Sequence, residues 1–253
     1  MKTYIATIVA GIIMAASVRA AVIITEGTYT QNFNSIGSGV PEGWGVYYSA
    51  TSSALGTAQA LGGAKTWTTN TPVGFYNYAS AVAPLTAGSN ATIQNNATHR
   101  ALGVAPGGSS ASGNPGAAFA FNFSTQNVAV TSLSFDAQQL NVIAPTGTST
   151  WSIQYGLGAS PSSWVTLGTY TGPGAWGATA LSYDQSDFGA ALDGQSEVWF
   201  RFVVLSAGNT STGGYPTHFA IDNFSLTAVP EPASVALFGI GAVLCLTRLR
   251  RRS

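Results

Sequence analysis

Val198-Trp-Phe-Arg-Phe-Val-Val204 is the stretch of sequence that decides the fold. Successive side chains of an extended strand point to opposite faces. One face of this segment then carries Val198, Phe200, Phe202 and Val204, and the other carries Trp199, Arg201 and Val203. Because both faces are mainly apolar, the pattern predicts a strand at the centre of a sheet.

The same period of two recurs upstream, in segments bounded by Gly, Pro, Ser or Asn. Its inward-facing residues are Phe119, Phe121, Phe123; Leu133, Phe135, Ala137; and Trp151, Ile153, Tyr155. Further strands are predicted at 22–25, 29–33, 46–50, 65–69 and 99–104, and 162–170 is expected to pair with the Trp151 strand. No segment of the domain 21–228 shows a sustained helical pattern. Many short strands with such turns predict an all-β antiparallel sandwich.

The last predicted strand, 216–228, changes its parity midway. Phe219 and Ile221 share one face, whereas Phe224 and Leu226 share the other. A bulge near Asp222 and Asn223, or burial on both faces, would explain the switch.

Three short stretches resemble the jelly-roll domains of extracellular bacterial proteins, including carbohydrate-binding modules. They are Ile221-Asp-Asn-Phe-Ser-Leu226, Leu192 to Phe202, and Phe33-Asn-Ser-Ile-Gly37 with Pro41-Glu-Gly-Trp44. The resemblance implies an antiparallel jelly-roll-type β-sandwich over residues 21–228. It also implies a structural calcium ion between the first and last strands, with Glu26 and Asp222 as candidate ligands, since calcium prefers oxygen ligands. The alternative is that Asp222 bonds to the backbone at the bulge.

Composition and charge narrow the classes of function. Charged residues make up 7% of the chain and aromatic residues 11%, which argues against a disordered protein. Residues 21–228 hold three basic and eight acidic residues, a net charge of −5. A weakly acidic domain without a basic patch is not suited to bind nucleic acid, whose phosphates are negatively charged. Cys245 is the only cysteine, so no disulfide within the domain is expected.

The N-terminus has the pattern of a signal peptide at residues 1–20. Lys2 precedes an apolar run, 4–16, and Val18 and Ala20 satisfy the small-residue rule at positions −3 and −1 of a signal-peptidase site. The alternative is a buried N-terminal strand or helix.

The C-terminal residues 229–253 have three parts. Pro230, Glu231 and Pro232 come first, and the two prolines are expected to prevent regular structure and leave Glu231 exposed. The apolar run 233–247 follows, a candidate transmembrane helix although it is shorter than the roughly 20 residues usually needed. Arg248, Arg250, Arg251 and Arg252 close the chain and are expected to stay cytoplasmic.

This order of elements resembles the PEP-CTERM sorting signal of Gram-negative bacteria. In that family a membrane protease, exosortase, recognises the Pro-Glu-Pro element and cleaves the protein free. The resemblance implies export through the inner membrane, transient anchoring there, and then a cell-surface or extracellular location. Its implied processing partners are signal peptidase and exosortase. The alternative is a plain single-span anchor.

The domain offers no evident catalytic constellation. His99 and His218 are far apart in sequence and lack metal-ligand spacing. The acidic residues Asp184, Asp187, Asp193 and Glu197 precede the Val198 strand, where a solvated connection is the simplest interpretation. The sequence therefore predicts that the protein is not an enzyme.

Aromatic side chains are the other candidate site. Sugar binding requires exposed rings that stack on pyranose faces, and Trp67, Tyr76 and Trp176 lie in turn-rich or two-sided contexts that favour exposure. The alternative is that these rings anchor the core or the loops.

Three hypotheses on function follow. The first is an exported non-catalytic surface or extracellular-matrix protein associated with exopolysaccharide. The second is a carbohydrate-binding module with a defined sugar site, and the third is a secreted glycan hydrolase. No cofactor other than the candidate calcium ion is expected.

Overall fold

The computed structural model describes residues 20–37, 39–67, 72–105, 115–141, 149–172, 174–206 and 218–231. The predicted signal peptide, apart from Ala20, lies outside these residues. So do Pro232, the apolar run 233–247, and Arg248, Arg250, Arg251 and Arg252. Within the described ranges, no helix is long and apolar enough to span a membrane.

The described residues form fourteen strands and two short helices. The strands are β1 Val22–Ile23, β2 Gly27–Gln31, β3 Trp44–Tyr48, β4 Thr57–Ala58, β5 Leu61–Lys65, β6 Gly74–Ala79, β7 Arg100–Ala105, β8 Ala118–Ser124, β9 Val128–Asn141, β10 Thr150–Leu157, β11 Val165–Thr171, β12 Gly177–Asp184, β13 Val198–Val203 and β14 His218–Pro230. The helices are α1 Ala91–Asn95 and α2 Gln185–Phe188.

Two seven-stranded sheets make a sandwich, which confirms the predicted all-β, jelly-roll-type fold. Sheet A has the order β11-β10-β13-β8-β3-β4, with β1 on β8, and sheet B has the order β12-β9-β14-β7-β6-β5, with β2 on β14. The pairing is antiparallel except for two pairs, β1 with β8 and β5 with β6, which are parallel.

The core lies between the sheets, and its centre is the segment that predicted the fold. β13 is flanked by β10 and β8, as expected for a strand that is apolar on both faces. Phe200 is opposite Phe121, and Phe202 is opposite Phe119, so their rings share one face. The aromatic rings of Trp44, Phe135, Trp151, Phe219 and Phe224 fill the space between the sheets.

β14 contains the predicted bulge. Its register against β9 shifts between Asp222 and Ser225, and Asn223 has a left-handed φ of 49°. The extra residue in β14 switches which face the following side chains point to. The core therefore contains four residues from both sides of the bulge despite their change of parity: Phe219, Ile221, Phe224 and Leu226.

Candidate functional site

Two of the predicted sugar-stacking residues meet over the outer face of sheet B. Trp67 follows β5 at one edge of the sheet, Trp176 precedes β12 at the opposite edge, and their ring centroids are 6.2 Å apart. The Trp67 backbone N–H donates to Gln94 Oε1 of α1 at 2.9 Å. Trp67 is only 5% exposed, so it suits the role of a loop anchor better than that of a stacking platform.

Tyr76 and Trp176 are half-buried and border the same aromatic cluster. The Tyr76 ring packs edge-on against Tyr78 with centroids 5.9 Å apart, and Lys65 Nζ lies 5.8 Å from the Tyr76 centroid. These two rings, unlike Trp67, keep surface that a sugar can contact.

Glu26 and Asp222, the candidate calcium ligands, are placed apart. In the ladder between β2 and β14, Gly27 is opposite Ala228, six residues from Asp222. Six residues of strand span about 20 Å, so one ion cannot contact both carboxylates in this arrangement. Among the described residues no group of three or more His, Cys, Asp or Glu side chains is placed to hold a metal. Calcium binding by the domain stays a prediction, but Glu26 and Asp222 cannot be its shared ligands.

Asp222 instead belongs to a buried hydrogen-bonded group. Ser80 Oγ donates to Asp222 Oδ2 at 2.5 Å, and the backbone N–H of Asn223 donates to Asp222 Oδ1 at 2.7 Å. Gln138 Nε2 donates to Ser80 Oγ at 2.8 Å. Burial, opposed by these hydrogen bonds and reinforced by the charge of Asp136, raises the pKa of Asp222 to about 6. The bond to Asn223 matches the alternative interpretation of Asp222 at the bulge.

His218 lies in β14 near this group and stacks on Tyr78 with ring centroids 5.5 Å apart. Its Nδ1 is buried, and no hydrogen-bond partner occurs for it in the described part of the chain. Burial lowers the pKa of His218 to about 4, so the ring is neutral at pH 7.

The four acidic residues before β13 have structural roles. Asp184 and Asp187 form a capping box at α2, with Asp184 N–H donating to Asp187 Oδ2 at 2.8 Å. Asp193 Oδ1 accepts from the Val130 N–H at 2.9 Å, and Glu197 Oε1 accepts from Asn122 Nδ2 at 2.7 Å. The expected solvated connection is therefore a capped helix and a turn tied to β9.

The outer face of sheet A carries a group that the sequence analysis did not identify as a site. Arg201 is fully buried there, and its guanidinium carbon lies 3.7 Å from the centroid of Trp164. Its Nε donates to Gln154 Oε1 at 2.8 Å and its Nη1 to the Ala54 carbonyl at 2.9 Å. Burial lowers the pKa of Arg201 to about 10.

Several polar atoms on this face have no partner among the residues described. They are Asn122 Oδ1, Trp164 Nε1, Trp199 Nε1 and Arg201 Nη2. Glu197 is half-buried at the end of the same row. The sequence did carry a signal for this group. Glu197, Trp199 and Arg201 alternate with the core residues of β13 and so point away from the core, and two charged residues are unusual on one face of a central strand.

The start of the sorting tail is part of the sandwich. Pro230 is the last residue of β14 and pairs with Val128, and the Glu231 N–H donates to the Asn127 carbonyl at 3.3 Å. Both residues are half-buried. The expectation that the prolines prevent regular structure and leave Glu231 exposed is wrong for Pro230 and Glu231, because Pro230 occupies a strand end, where a missing N–H is tolerated.

Comparison with protein families identifies this tail. Residues 228–252 match the PEP-CTERM protein-sorting motif, which confirms the resemblance and indicates export, membrane-anchored sorting and an extracellular or cell-surface location. The match covers the tail and the end of β14 and does not extend to the rest of the sandwich. A comparison with curated proteins found no match.

Solved structures with a similar arrangement of strands are distant. The CBM22-1 xylan-binding domain from Paenibacillus barcinonensis Xyn10C is 10% identical, with 82% of this chain and 99% of that chain covered and a TM-score of 0.44. A cleaved adhesin domain of Lys-gingipain from Porphyromonas gingivalis is 13% identical, with 79% and 97% covered and a TM-score of 0.42.

Proposed function

We propose that the chain is an exported, non-catalytic surface or extracellular-matrix protein, which exosortase cleaves at its sorting motif and which then associates with exopolysaccharide. The observation that carries the proposal is the PEP-CTERM motif at 228–252, whose first three residues are the end of the last strand of the sandwich. On this proposal, signal peptidase removes residues 1–20, and residues 233–247 anchor the protein in the inner membrane before cleavage.

The proposal of a non-catalytic domain is supported by the hydrogen bonds of its carboxylates. Asp184, Asp187 and Asp193 bond to backbone N–H groups, which stabilises local structure. A glycan hydrolase, the third hypothesis, requires two carboxylates placed about 5 to 10 Å apart around a substrate bond. The structural roles of these acids favour the first hypothesis over the third.

Processing can be tested in a Gram-negative host with and without exosortase. We expect the tagged protein to be cleaved and to reach the surface only when exosortase is present, and Glu231→Gln to reduce cleavage. Glu42→Gln is a matched control, because Glu42 is exposed and also follows a proline, Pro41, but lies outside the motif. Cleavage that does not depend on exosortase, or that responds equally to both variants, would contradict the proposal.

A second candidate function is sugar binding by the sandwich itself. On the outer face of sheet A it is favoured by Glu197, whose half-buried carboxylate can accept hydrogen bonds from sugar hydroxyls. The half-buried Tyr76 and Trp176 on sheet B are the alternative platform.

A glycan array of the processed protein distinguishes the two faces. Loss of binding in Glu197→Gln assigns the site to sheet A, and loss in Trp176→Ala or Tyr76→Ala assigns it to sheet B. Tyr76→Phe is the control, because it keeps the ring that would stack. Absence of binding to every neutral and acidic glycan would exclude this second function.

A further inference from the structure

The sorting motif begins inside the folded domain rather than after it. The motif starts at residue 228, and β14 continues to Pro230. Ala228, Val229 and Pro230 pair with residues Val130, Ala129 and Val128 of β9. The first three residues of the sorting motif, 228–230, are therefore also the end of the ladder between β14 and β9.

A turn from elsewhere in the domain holds this strand end in place. The carbonyl of Val128, the residue opposite Pro230, faces away from β14 and accepts from the Gly194 N–H at 3.2 Å. The Glu231 N–H donates to the Asn127 carbonyl at 3.3 Å. The Glu231 carboxylate lies over Gly194, where an added Cβ would overlap Glu231 Oε1.

The chain between this contact and the membrane segment is very short. Only Pro232 separates Glu231 from the apolar run that begins at Ala233. One extended residue spans at most about 3.6 Å. While Glu231 contacts Asn127 and Gly194, only Pro232 is left between the folded domain and the apolar run. A protease in the membrane then has almost no unfolded chain to bind on the outer side of that run.

We infer that the folded sandwich keeps the start of its processing motif inaccessible to exosortase. The end of β14, residues 229–231, must detach from β9 before exosortase cleaves. The inference rests on the exosortase processing proposed above. Strand ends open more easily than the rest of a fold, so detachment needs no global unfolding. We call the contacts of Glu231 with Asn127 and Gly194 the latch. It contains one backbone hydrogen bond of the tail, from the Glu231 N–H to the Asn127 carbonyl, which predicts that its loss speeds cleavage about fivefold.

A spacer moves Pro230, Glu231 and Pro232 away from Asn127 and Gly194 without changing this Pro-Glu-Pro element. Insertion of Gly-Ser-Gly-Ser between Val229 and Pro230 leaves Pro230, Glu231 and the distance to the apolar run unchanged. In a pulse-chase of the full chain in an exosortase-positive host, we expect this variant to be cleaved about fivefold faster than the wild type. The same insertion between Ala159 and Ser160, in an exposed turn, is the control and should not change the rate.

A point variant tests the contact itself. Gly194→Ala places a Cβ against Glu231 Oε1, and Gly194 has φ +61°. Gly189→Ala is the matched control, since Gly189 has φ +57° but nothing within 4 Å of an added Cβ. Both changes impose left-handed strain, and only Gly194→Ala should speed cleavage beyond what its melting temperature explains.

Hydrogen exchange of the Glu231 amide separates the possible failures. Slow exchange in the wild-type full chain, and fast exchange in the spaced variant, would show that the latch forms. A protected amide with equal or slower cleavage of the spaced variant overturns the inference but not the proposed processing. Fast exchange of Glu231 in the wild type also overturns it. If the amide is protected but no variant is ever cleaved, the proposed processing fails and the latch has no role.

Discussion

At the scale of single residues, two buried ionisable groups in β14 respond to pH in opposite directions. The pKa of Asp222 is raised to about 6, above its ordinary value of 3.8, so its contribution to stability is lost as the pH rises from about 4 to 6. The pKa of His218 is lowered to about 4 from 6.5, so its contribution grows as the pH rises over much of the same range. The two effects partly cancel in the wild type.

Single substitutions should uncover each effect. In Asp222→Asn the stability of the domain should rise more steeply between pH 4 and 6 than in the wild type, because only His218 remains. In His218→Gln it should fall over that range, because only Asp222 remains. Melting temperatures at several pH values measure both slopes, and parallel profiles in all three proteins would contradict the assignment.

At the scale of elements, the bulge in β14 depends on Asn223. This residue has φ 49°, which Asn tolerates better than most residues, and its Nδ2 donates to Asp136 Oδ2 at 2.8 Å. We expect Asn223→Ala to lower the free energy of unfolding by about 1 to 2 kcal/mol, from backbone strain and the lost hydrogen bond. Asn223→Gly loses only the hydrogen bond and should cost less in urea unfolding. Equal losses would show that strain is unimportant here.

The elements that the sequence predicted well are those with strict alternation and a buried face. β8, β9, β10 and β13 have the expected inward residues. The pairing of the Trp151 strand with the segment 162–170 is confirmed, because β10 pairs with β11 and Trp151 is opposite Tyr170. β6 and β12 were missed as strands. Gly74–Ala79 is buried on both faces along much of its length, and Gly177–Asp184 is largely exposed, so neither shows the alternation of a half-buried strand.

The candidate site was predicted less well, because burial is a property of the assembled sheets. Trp67 and Trp176 were identified as aromatic residues near turns, but only the topology of sheet B brings them from opposite edges to 6.2 Å. Glu26 and Asp222 were paired because they lie near the first and last strands. The ladder of β2 on β14 places them at opposite ends, which sequence order cannot reveal.

At the scale of the whole molecule, the end of the sandwich and the start of the sorting tail are the same residues. A fragment 21–228, the predicted domain, removes the pairs of Val229 with Ala129 and Pro230 with Val128, and the hydrogen bond from Glu231 to Asn127. We expect its free energy of unfolding to be about 1 to 2 kcal/mol lower than that of a fragment 21–231. Urea unfolding of both fragments measures the difference. Because the two share every other residue, equal midpoints would mean that the tail adds nothing to the fold, whereas a lower midpoint for 21–228 would mean that cleavage within the motif also changes the stability of the released domain.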